Sequence, residues 1–453
     1  MTIQRQSPGE CEWKLSVYRD GERLANDDAA FQLTQFCSGW SIVEDITSAS
    51  MEAEFVFSDA AGIQAIFTGS ETLKLEVFTS LIDRTYFFRS TGIASRTQDV
   101  GSQTFMVNGL STDYLKNETV NVFGSSELIF DGKTKSEEIV STLMKKYLKT
   151  TKNVFAEETV SQHSFIIPNW RPLDTIYWIA ERSIRKSAKG NQLQNGFMFY
   201  ENALGYNFKS VDNIIDGINN QYEEQTVERL DKRKLYRYSL APKNISEDLD
   251  HLSLNGISFP EEANKVRALR NGNLAGYSVG FDPVDISGSA MGLSTDMLKG
   301  AYQYNLGDIW DKMSHLDGDV TVNPITQMDK NVQKEYYTPK RVRYCMLPSQ
   351  GFDQKYKDNP QSNYRELVEL QAYQYLRYEA LKNIKCLAHM PGNLDLYVGS
   401  GIELSLPATF KSSENMQVDR RYSGRYMIVR LTHQATTGKM TTEVELMKDS
   451  ILK

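Results

Sequence analysis

Histidines are few in this sequence and are not spaced for a metal site. None has a second histidine at i+3 or i+4, so the HExxH type of helical zinc site is absent. Assembly of a metal site from distant segments stays open, but an isolated histidine is more often a hydrogen-bonded structural residue. We therefore predict no metal ion. The five positions are His163, His251, His315, His389 and His433.

Motifs for nucleophilic catalysis and for phosphate binding are also missing. The sequence has no GxSxG elbow, no GxxxxGKS or GxxxxGKT loop and no GxGxxG after a strand. The stretch NGNLAG, around Gly272 and Gly276, has the wrong spacing to cradle a phosphate group and indicates a turn. No cofactor is predicted.

Acidic residues at two places could serve glycoside hydrolysis, which needs two carboxylates at a fixed separation. One place is Glu181, on a predicted helix, and the other is the run HLDGDVTVN with Asp317 and Asp319. That run starts like a calcium-binding loop, but it reads DGD and lacks the closing Glu. Surface and turn positions explain these acids better than an active site, so we predict that the protein is not an enzyme.

Trp170, Tyr177 and Trp178 gather around two prolines, Pro168 and Pro172. Aromatic faces stack on ligands, so a sugar platform is one interpretation. We favour the other interpretation, in which these rings anchor a loop and a helix onto a small sheet.

The charge balance argues against a chain-wide surface for gripping nucleic acid. Against 51 Lys and Arg residues stand 58 Asp and Glu residues, which gives a net charge of -7. Phosphate-binding surfaces are basic instead. An acidic surface repels DNA, which suits a conduit through which DNA slides without sticking.

The positions of the cysteines and the lengths of the apolar runs argue against disulfide-rich, secreted and membrane-spanning proteins. Cys11, Cys37, Cys345 and Cys386 lie far apart without a CxxC pair, so neither a zinc knuckle nor a disulfide framework is predicted. The first residues lack the basic and apolar runs of a secretory signal. No window approaches ~18 consecutive apolar residues, so we predict no membrane span. The expectation is a protein made in the cytoplasm.

Length and hydrophobic periodicity predict several folding units. A chain of 453 residues exceeds one ordinary core, since domains mostly run ~100 to 200 residues. Residues 1–117 alternate apolar and polar positions in short segments, as with Leu73, Leu75 and Val77 in LKLEVFT. This alternation predicts a first domain of antiparallel strands that close into a β-barrel or fold as a small sandwich, and we predict the β-barrel.

Residues 118–215 combine helical patterns with strand patterns. Thr134 and Glu137 form a capping-box pattern ahead of one helix, and Pro172 suits the first position of a second helix. Two aromatic runs follow across the turn ENALG and predict a hairpin. Together these elements predict a small α+β middle domain.

The remaining chain is predicted to build a second barrel with an insertion. Residues 216–288 start this barrel after a charged connection, which we interpret as a solvated face. Residues 289–384 are a helical and irregular insertion, irregular over 289–362 and helical from Asn363 to Ile384. Residues 385–453 return to period two in closing strands, the last two joined at TTGK. The predicted fold class is α+β, mainly β, with two tube-like antiparallel β-barrel domains.

Two regions of the sequence carry a family resemblance. Residues 167–183, IPNWRPLDTIYWIAERS, and 196–212, GFMFYENALGYNFKSVD, look like the middle-domain signature of a known family, the baseplate hub subunits of T-even-like contractile-tailed phages. Residues 390–407, MPGNLDLYVGSGIELSLP, and 420–434, RRYSGRYMIVRLTHQ, are similar to its closing segments. The matching regions follow the family's order.

The positions that carry the resemblance fit scaffold roles. The chain from Asn169 to Pro172 ends a strand and starts a helix, and Gly399 and Gly424 permit backbone geometry that a β-carbon would obstruct. Packing therefore explains them without catalytic chemistry. The motif positions are Trp170, Arg171, Pro172, Gly392, Gly399 and Gly424.

The resemblance implies a structural virion protein of the tail baseplate, assembled in the host cytoplasm. Three copies would form a homotrimer with six barrels around a channel, touching DNA only in transit. Such a ring would match a six-fold tail tube or tube-initiator protein on one face and a trimeric spike protein on the other, beside other baseplate proteins. Departures at 216–235, at 289–362 and in the loop between Pro407 and Arg420 leave the docking of the spike and of extra partners open.

Three alternatives remain at this point. A tail-associated cell-wall hydrolase would need two buried, convergent carboxylates in a cleft with perturbed acidity. The hub of a contractile injection or secretion machine would differ in its gene neighbourhood. A receptor- or glycan-binding tail protein would bind host cells on its own.

Overall fold

The architecture is mainly β, with helices in the middle of the chain and in a later module. This confirms the predicted α+β, mainly β class. None of the helices in the described ranges combines the length and the apolarity that crossing a membrane requires. The computed structural model describes residues 8–24, 33–123, 129–186, 193–221, 234–240, 251–260, 265–281, 301–346, 360–408 and 418–453.

The first β region is built from antiparallel strands, as its alternation predicts. Its elements are β1 (Glu12–Arg19), β2 (Glu22–Arg23), α1 (Leu33–Phe36), β3 (Cys37–Asp45), β4 (Glu52–Asp59), β5 (Thr72–Phe78), β6 (Arg84–Asp99) and β7 (Ser102–Leu110). In β5 the apolar residues Leu73, Leu75 and Val77 are fully buried, while Lys74 and Glu76 between them are half-buried. The buried face packs into one core with Trp40, Phe55, Phe88 and Phe105.

The middle region packs four helices on short sheets. Its elements are α2 (Thr112–Thr119), β8 (Val122–Phe123), β9 (Ile129–Lys135), α3 (Ser136–Thr142), β10 (Val154–Ala156), β11 (Gln162–Ile166), β12 (Pro168–Trp170), α4 (Pro172–Ala180), β13 (Phe197–Asn202), β14 (Gly205–Ser210) and α5 (Val211–Asn219). The helix that begins at Pro172 and the hairpin of β13 with β14 are both confirmed.

The predicted capping box at Thr134 is wrong. Thr134 lies in β9, where it pairs with His163 of β11, and this pairing carries the strand on to Lys135. The helix α3 therefore begins later, and the Glu138 carboxylate accepts a 3.4 Å hydrogen bond from the Lys135 N–H.

The next region continues with β15 (Tyr236–Ser239), β16 (Gly256–Ser258), α6 (Lys265–Asn271), β17 (Ala275–Phe281), β18 (Tyr302–Asn305), α7 (Leu306–Trp310), β19 (Thr321–Val322), α8 (Lys330–Tyr337), β20 (Val342–Met346) and α9 (Pro360–Leu381). The strands β18, β17 and β20 form a sheet in that order, and α9 packs against it. We call residues 265–281, 301–346 and 360–381 the insertion module. Its own core includes Tyr304, Leu306, Ile309 and Leu376.

The prediction of a mostly irregular stretch is wrong for residues 301–346. The Asn and Asp residues that indicated irregular chain are helix caps: Asn305 caps α7, Asn323 caps a 3₁₀ turn and Asp329 caps α8. The long helix also ends at Leu381, because Ile384 already begins a strand. Residues 222–233, 282–300, 347–359 and 409–417, which hold much of the charged connection, the rest of the predicted irregular stretch and the loop after Pro407, lie outside the described residues.

The last strands are β21 (Ile384–Pro391), β22 (Gly401–Ser405), β23 (Gly424–Thr436), β24 (Lys439–Lys448) and β25 (Ile451–Leu452). The hairpin of β23 and β24, with its turn at Thr437 and Gly438, confirms the prediction from TTGK. The strands β21 to β24 join the first β region, with β15 and β16, in one 13-stranded sheet, whose main path is β16-β21-β24-β23-β3-β4-β7-β6-β5-β1-β2. The short strand β25 pairs with β19 in a separate sheet.

The junction between the two β regions is the antiparallel pair of β3 and β23, in which Val43 faces Thr432. The sequence predicts two barrel domains, but strands of both β regions share one continuous sheet, and no closed barrel is found among the strands that the structure describes. Alternation within each strand fixes which side is buried, yet it does not tell which strand becomes the neighbour.

Candidate functional site

One exposed face of the 13-stranded sheet forms a continuous surface across both β regions. Side chains alternate between the two sides along each strand, and outward residues face outward residues at each strand boundary. We call this surface the sheet face. Its middle row, over five neighbouring strands, is His389, Glu443, Thr432, Val43 and Glu52. The row on one side is Glu445, Arg430 and Asp45, and the row on the other side is Thr441, Gln434, Ser41 and Glu54.

Acidic residues outnumber basic ones on the four central strands β24, β23, β3 and β4. The outward acids are Glu443, Glu445, Asp45, Glu52 and Glu54, and the cations in the same strands that are not buried are Arg430, Lys439 and Arg425, of which Arg425 is paired with Asp317. On the neighbouring strand β21, the Nδ1 of His389 lies 3.2 Å from the carboxylate of Glu443. The sheet face is therefore hydrophilic and negatively charged, and its charge repels a polyanion.

Behind the sheet face, one carboxylate connects three parts of the chain. Glu44 points inward from β3 and is fully buried. Its oxygens accept hydrogen bonds of 2.9 Å from the N–H of Val398, ahead of β22, and from the N–H of Ala203, in the turn of the middle hairpin. Burial raises the pKa of Glu44 to about 7, against the lowering effect of these two donors.

A second buried carboxylate, Glu201, lies in the same part of the structure. It accepts a 3.3 Å hydrogen bond from the N–H of Met51 and pairs with the ammonium group of Lys152. Burial raises the pKa of Glu201 as well, against the attraction of Lys152. A glycoside hydrolase pairs one acid of raised pKa with an ionised carboxylate, and both must reach the substrate. Here both Glu44 and Glu201 are 0% exposed. Their oxygens are engaged by backbone N–H groups and by Lys152, so a polysaccharide has no access to them.

A contact between Ser136 and His163, which the sequence analysis missed, is closed to solvent in the same way. The Ser136 Oγ lies 2.7 Å from His163 Nε2 and accepts a 2.7 Å hydrogen bond from the Ser183 hydroxyl. Burial lowers the pKa of His163 to about 4, which leaves the ring neutral near pH 7. Because both serines are fully buried, the chain of hydroxyls joins α3 to α4 rather than meeting a substrate.

The first group of predicted motif residues lies at the start of α4. Trp170 ends β12, Arg171 is the N-cap residue and Pro172 is the first helical residue. The Arg171 guanidinium binds Asp174 at 2.8 Å and Glu118 at 2.6 Å. The Trp170 ring lies 5.8 Å from the Trp178 ring, over which the Arg182 guanidinium stacks at 4.0 Å. Since Trp178 already has these partners, the contacts favour the anchoring interpretation over a sugar platform.

The second group consists of three glycines in the last β region, at positions where neighbouring atoms leave no room for a β-carbon. Gly399 and Gly424 have φ of +81° and +111°, a conformation that L side chains rarely adopt. A β-carbon on Gly399 would collide with the Tyr200 hydroxyl, and one on Gly424 with Lys448. At Gly392 it would lie 2.5 Å from the methyl group of Met440. The structure places the glycines and the Trp170 group in separate parts of the fold, so they do not form one site.

The acids considered for catalysis are also apart from one another. Asp317 accepts hydrogen bonds from the Arg425 N–H at 3.0 Å and from the Lys448 ammonium at 2.8 Å, and it thereby ties the insertion module to β23 and β24. Asp319 lies in a 3₁₀ turn and Glu181 at the end of α4. The described residues contain no group of three or more His, Cys, Asp or Glu side chains that could hold a metal ion.

A buried ionic cluster fastens the insertion module to the rest of the chain. Arg377 of α9 is 0% exposed, and its guanidinium lies 3.1 Å from Asp449 and 3.5 Å from Asp212. Burial alone would raise the pKa of Asp449, but the charge of Arg377 lowers it to about 2. Arg377 and Glu44 were not among the predicted site residues, although each stands at an inward position of an apolar pattern, four residues after Tyr373 and two after Ile42.

No protein-family model matches the sequence, and no curated protein matches it either. Solved structures do match. The tail protein of Neisseria meningitidis MC58 is 11% identical, with a TM-score of 0.50 over 96% of this chain and 97% of that chain. The 43 kDa tail protein of prophage MuSo2 from Shewanella oneidensis is 6% identical, with a TM-score of 0.51 over 97% of this chain and 99% of that chain.

A third match is an E. coli protein described as a component of the type VI secretion system. It is 9% identical, with a TM-score of 0.42 over 91% of this chain and 73% of that chain. At such identities a likeness concerns the fold. The chain has, over nearly its whole length, the fold of the two tail proteins from Neisseria and Shewanella, in agreement with the resemblance found in its sequence.

Proposed function

We propose that this protein is the central hub subunit of a contractile phage tail baseplate, a structural protein of the virion without catalytic activity. Three copies form a ring that adapts a six-fold tail tube, or its initiator protein, to a three-fold spike and leaves a channel for DNA. The observation that carries the proposal is the sheet face, a continuous acidic surface that strands from both β regions build together. The fold shared with two tail proteins supports it.

Two barrel-like halves in each copy are part of the proposal. Separate buried cores support them, one in the first β region and one around β21 to β24. The segment before β1, in the first half, forms hydrogen bonds with the β23–β24 hairpin of the last β region. The Cys11 N–H donates to the Gly438 carbonyl at 3.0 Å, and the Met440 N–H donates to the Gly9 carbonyl at 2.7 Å. Three copies with two similar halves present six units to the tube and three to the spike.

The proposed domain boundaries are those predicted from the sequence. Residues 1–117 supply the first barrel and 118–215 the middle domain, while 216–288 and 385–453 supply the second barrel around the insertion of 289–384. Other baseplate proteins bind the outside of the ring, which is assembled in the host cytoplasm. In the assembled ring the sheet face, with Glu52, Glu54 and Glu443, lines the bore.

An acidic wall is what a DNA channel needs. Carboxylates do not form ion pairs with phosphate groups, so DNA that passes through meets repulsion from all sides and no binding site. Screening at physiological salt limits this repulsion to about 8 Å from the wall, which keeps DNA from sticking without closing a wide bore.

The mass of the purified protein, measured by light scattering, tests this proposal. The protein is expected to form a particle of three times 51.6 kDa and to take up a trimeric spike protein encoded nearby. A stable monomer that ignores the spike would contradict the hub function and would turn attention to the cell-wall hydrolase, through a turbidity assay on cell walls.

A further inference from the structure

The insertion module carries a concentration of positive charge on a chain whose net charge is -7. Arg270 is the second-last residue of α6, Lys340 and Arg341 come directly before β20, and Arg343 is the second residue of β20. We call these four residues the basic patch. Arg270, Lys340 and Arg341 are exposed and Arg343 is half-buried.

Hydrogen bonds hold the basic patch in a fixed arrangement. The Arg341 Nε donates to the Arg270 carbonyl at 2.6 Å, and the Arg343 Nη2 donates to the Asn271 carbonyl at 3.1 Å. The Arg343 guanidinium also stacks 3.3 Å from the centroid of the Tyr375 ring. These contacts satisfy the carbonyl groups at the end of α6 and order the side chains before any partner arrives.

The contacts within the basic patch do not neutralise its charge. The acceptors are backbone carbonyl groups and an aromatic ring, neither of which carries a full negative charge. Among the residues that the structure describes, no carboxylate forms an ion pair with any of the four side chains. Four neighbouring cations with no carboxylate paired to them in the described part of the chain attract an acidic group from another molecule.

Strand β20, next to the basic patch, has one unpaired edge within the described part of the chain. In the order β18-β17-β20 it pairs with β17 alone. The N–H and C=O groups on such an edge can bind an extended segment as an additional strand. An aromatic side chain of the strand itself is exposed, since Tyr344 of β20 is 50% exposed. Arg and Tyr are the residue types enriched in protein interfaces.

We propose that the basic patch and the free edge of β20 form a docking site for an extended, acidic segment of a partner protein. The segment pairs with β20 through its backbone and places carboxylates against Arg270, Lys340 and Arg341. DNA fits less well, because four cations are fewer than the roughly 6 to 10 phosphate contacts of DNA-binding proteins and because DNA offers no strand to pair with β20. This inference does not rest on the hub function.

Fluorescence anisotropy of a labelled peptide of alternating Glu and Thr residues, titrated with the full chain, tests the docking site. Wild-type protein is expected to bind the peptide, less tightly at high salt, and to bind a Gln–Thr peptide at least about tenfold more weakly. The double variant Arg270→Glu with Lys340→Glu is expected to lose about tenfold or more in affinity. The hydrogen bonds that order the basic patch are donated by Arg341 and Arg343 and not by the two replaced side chains, so the fold is retained.

The matched control is Lys330→Glu with Lys334→Glu, two exposed lysines on α8 of the same module, and it is expected to bind like wild type. The proposal is overturned if wild type binds both peptides equally or neither, or if both double variants bind alike. Tighter binding of a double-stranded DNA fragment than of the Glu–Thr peptide overturns it in favour of a nucleic-acid site. If circular dichroism shows that the Arg270→Glu with Lys340→Glu variant is unfolded, the comparison of the Glu–Thr and Gln–Thr peptides on wild-type protein decides whether the docking site exists.

Discussion

The carboxylate of Glu44 accepts a 2.9 Å hydrogen bond from the backbone N–H of Val398, 354 residues further along the chain. Both residues are fully buried, and β3, which holds Glu44, pairs with β23 beside this bond. The two β regions are therefore one structural unit, although the middle region and the insertion module separate them in sequence. A shared sheet of this kind keeps the sheet face continuous.

The unfolding free energy is expected to depend on pH through Glu44. Its pKa is raised from 4.5 to about 7 in the folded protein, so the folded state binds the proton more tightly than the unfolded state. Stability therefore falls as pH rises through this range, by about 1 kcal/mol from pH 6 to pH 8. Glu44→Gln removes this dependence, and urea unfolding at both pH values measures the difference between wild type and variant.

Since Gln places an amide nitrogen against an N–H donor, the Glu44→Gln variant is expected to be less stable at both pH values. The test is the slope with pH rather than the absolute value, because other buried groups contribute equally to both proteins. Identical slopes in wild type and variant would show that Glu44 does not titrate in this range.

Replacement of Arg377 by Met is expected to destabilise the protein strongly. It leaves Asp212 and Asp449 buried without their cation, and removal of one partner from a buried ion pair costs about 3–5 kcal/mol. The matched control is Lys382→Met at the exposed end of α9, whose ion pair with Glu379 is worth about 0.5 kcal/mol at most. Urea midpoints compare the two variants, and equal midpoints would refute the role given to Arg377.

Gly399→Ala and Gly217→Ala are expected to change stability in opposite directions. Gly399 has a φ of +81° and no room for a β-carbon beside Tyr200, so its replacement costs about 2–4 kcal/mol. Gly217 lies within α5 with no atom within 4 Å of an added β-carbon, so alanine stabilises the helix there by about 0.5–1 kcal/mol. Thermal unfolding of both variants checks the signs. A loss at both positions would mean that Gly217 has a packing partner.

Charge reversal on the sheet face is expected to slow DNA passage without unfolding the protein. Glu52 and Glu54 are exposed, so Glu52→Lys with Glu54→Lys changes stability by about 0.5 kcal/mol or less per site. Asp311→Lys with Glu335→Lys, at exposed positions of the insertion module, is the matched control. The rate of DNA ejection from particles that carry each variant is the measurement. Slow ejection in the control as well would locate the effect outside the bore.

Elements with strong local signals could be predicted from the sequence. Pro172 marks a helix start because its ring suits the first turn, and ENALG and TTGK mark hairpins because their flanking runs alternate. The same logic fails where a tertiary pairing overrides it, as at Thr134, which pairs with His163 instead of capping a helix. Asn305 and Asp329 show the opposite error, since residues typical of loops here begin helices.

The candidate site was only partly predictable. The outward acids of β3, β4 and β24 can be read from alternation, but their union in one face depends on the pairing of β3 with β23, for which a single sequence holds no local signal. Glu44 and Arg377 each interrupt an apolar pattern at an inward position, and this is a signal that could have been used. Their partners, Val398 and Asp449, come from distant segments and appear in the structure alone.

A cryo-electron microscopy reconstruction of the purified protein bound to its spike shows whether three copies form a ring whose bore is lined by the sheet face. We expect a three-fold ring in which β3, β4, β23 and β24 face the channel with Glu52, Glu54 and Glu443 toward its axis. A ring with these strands on its outer surface, or particles that contain a single copy, would contradict it.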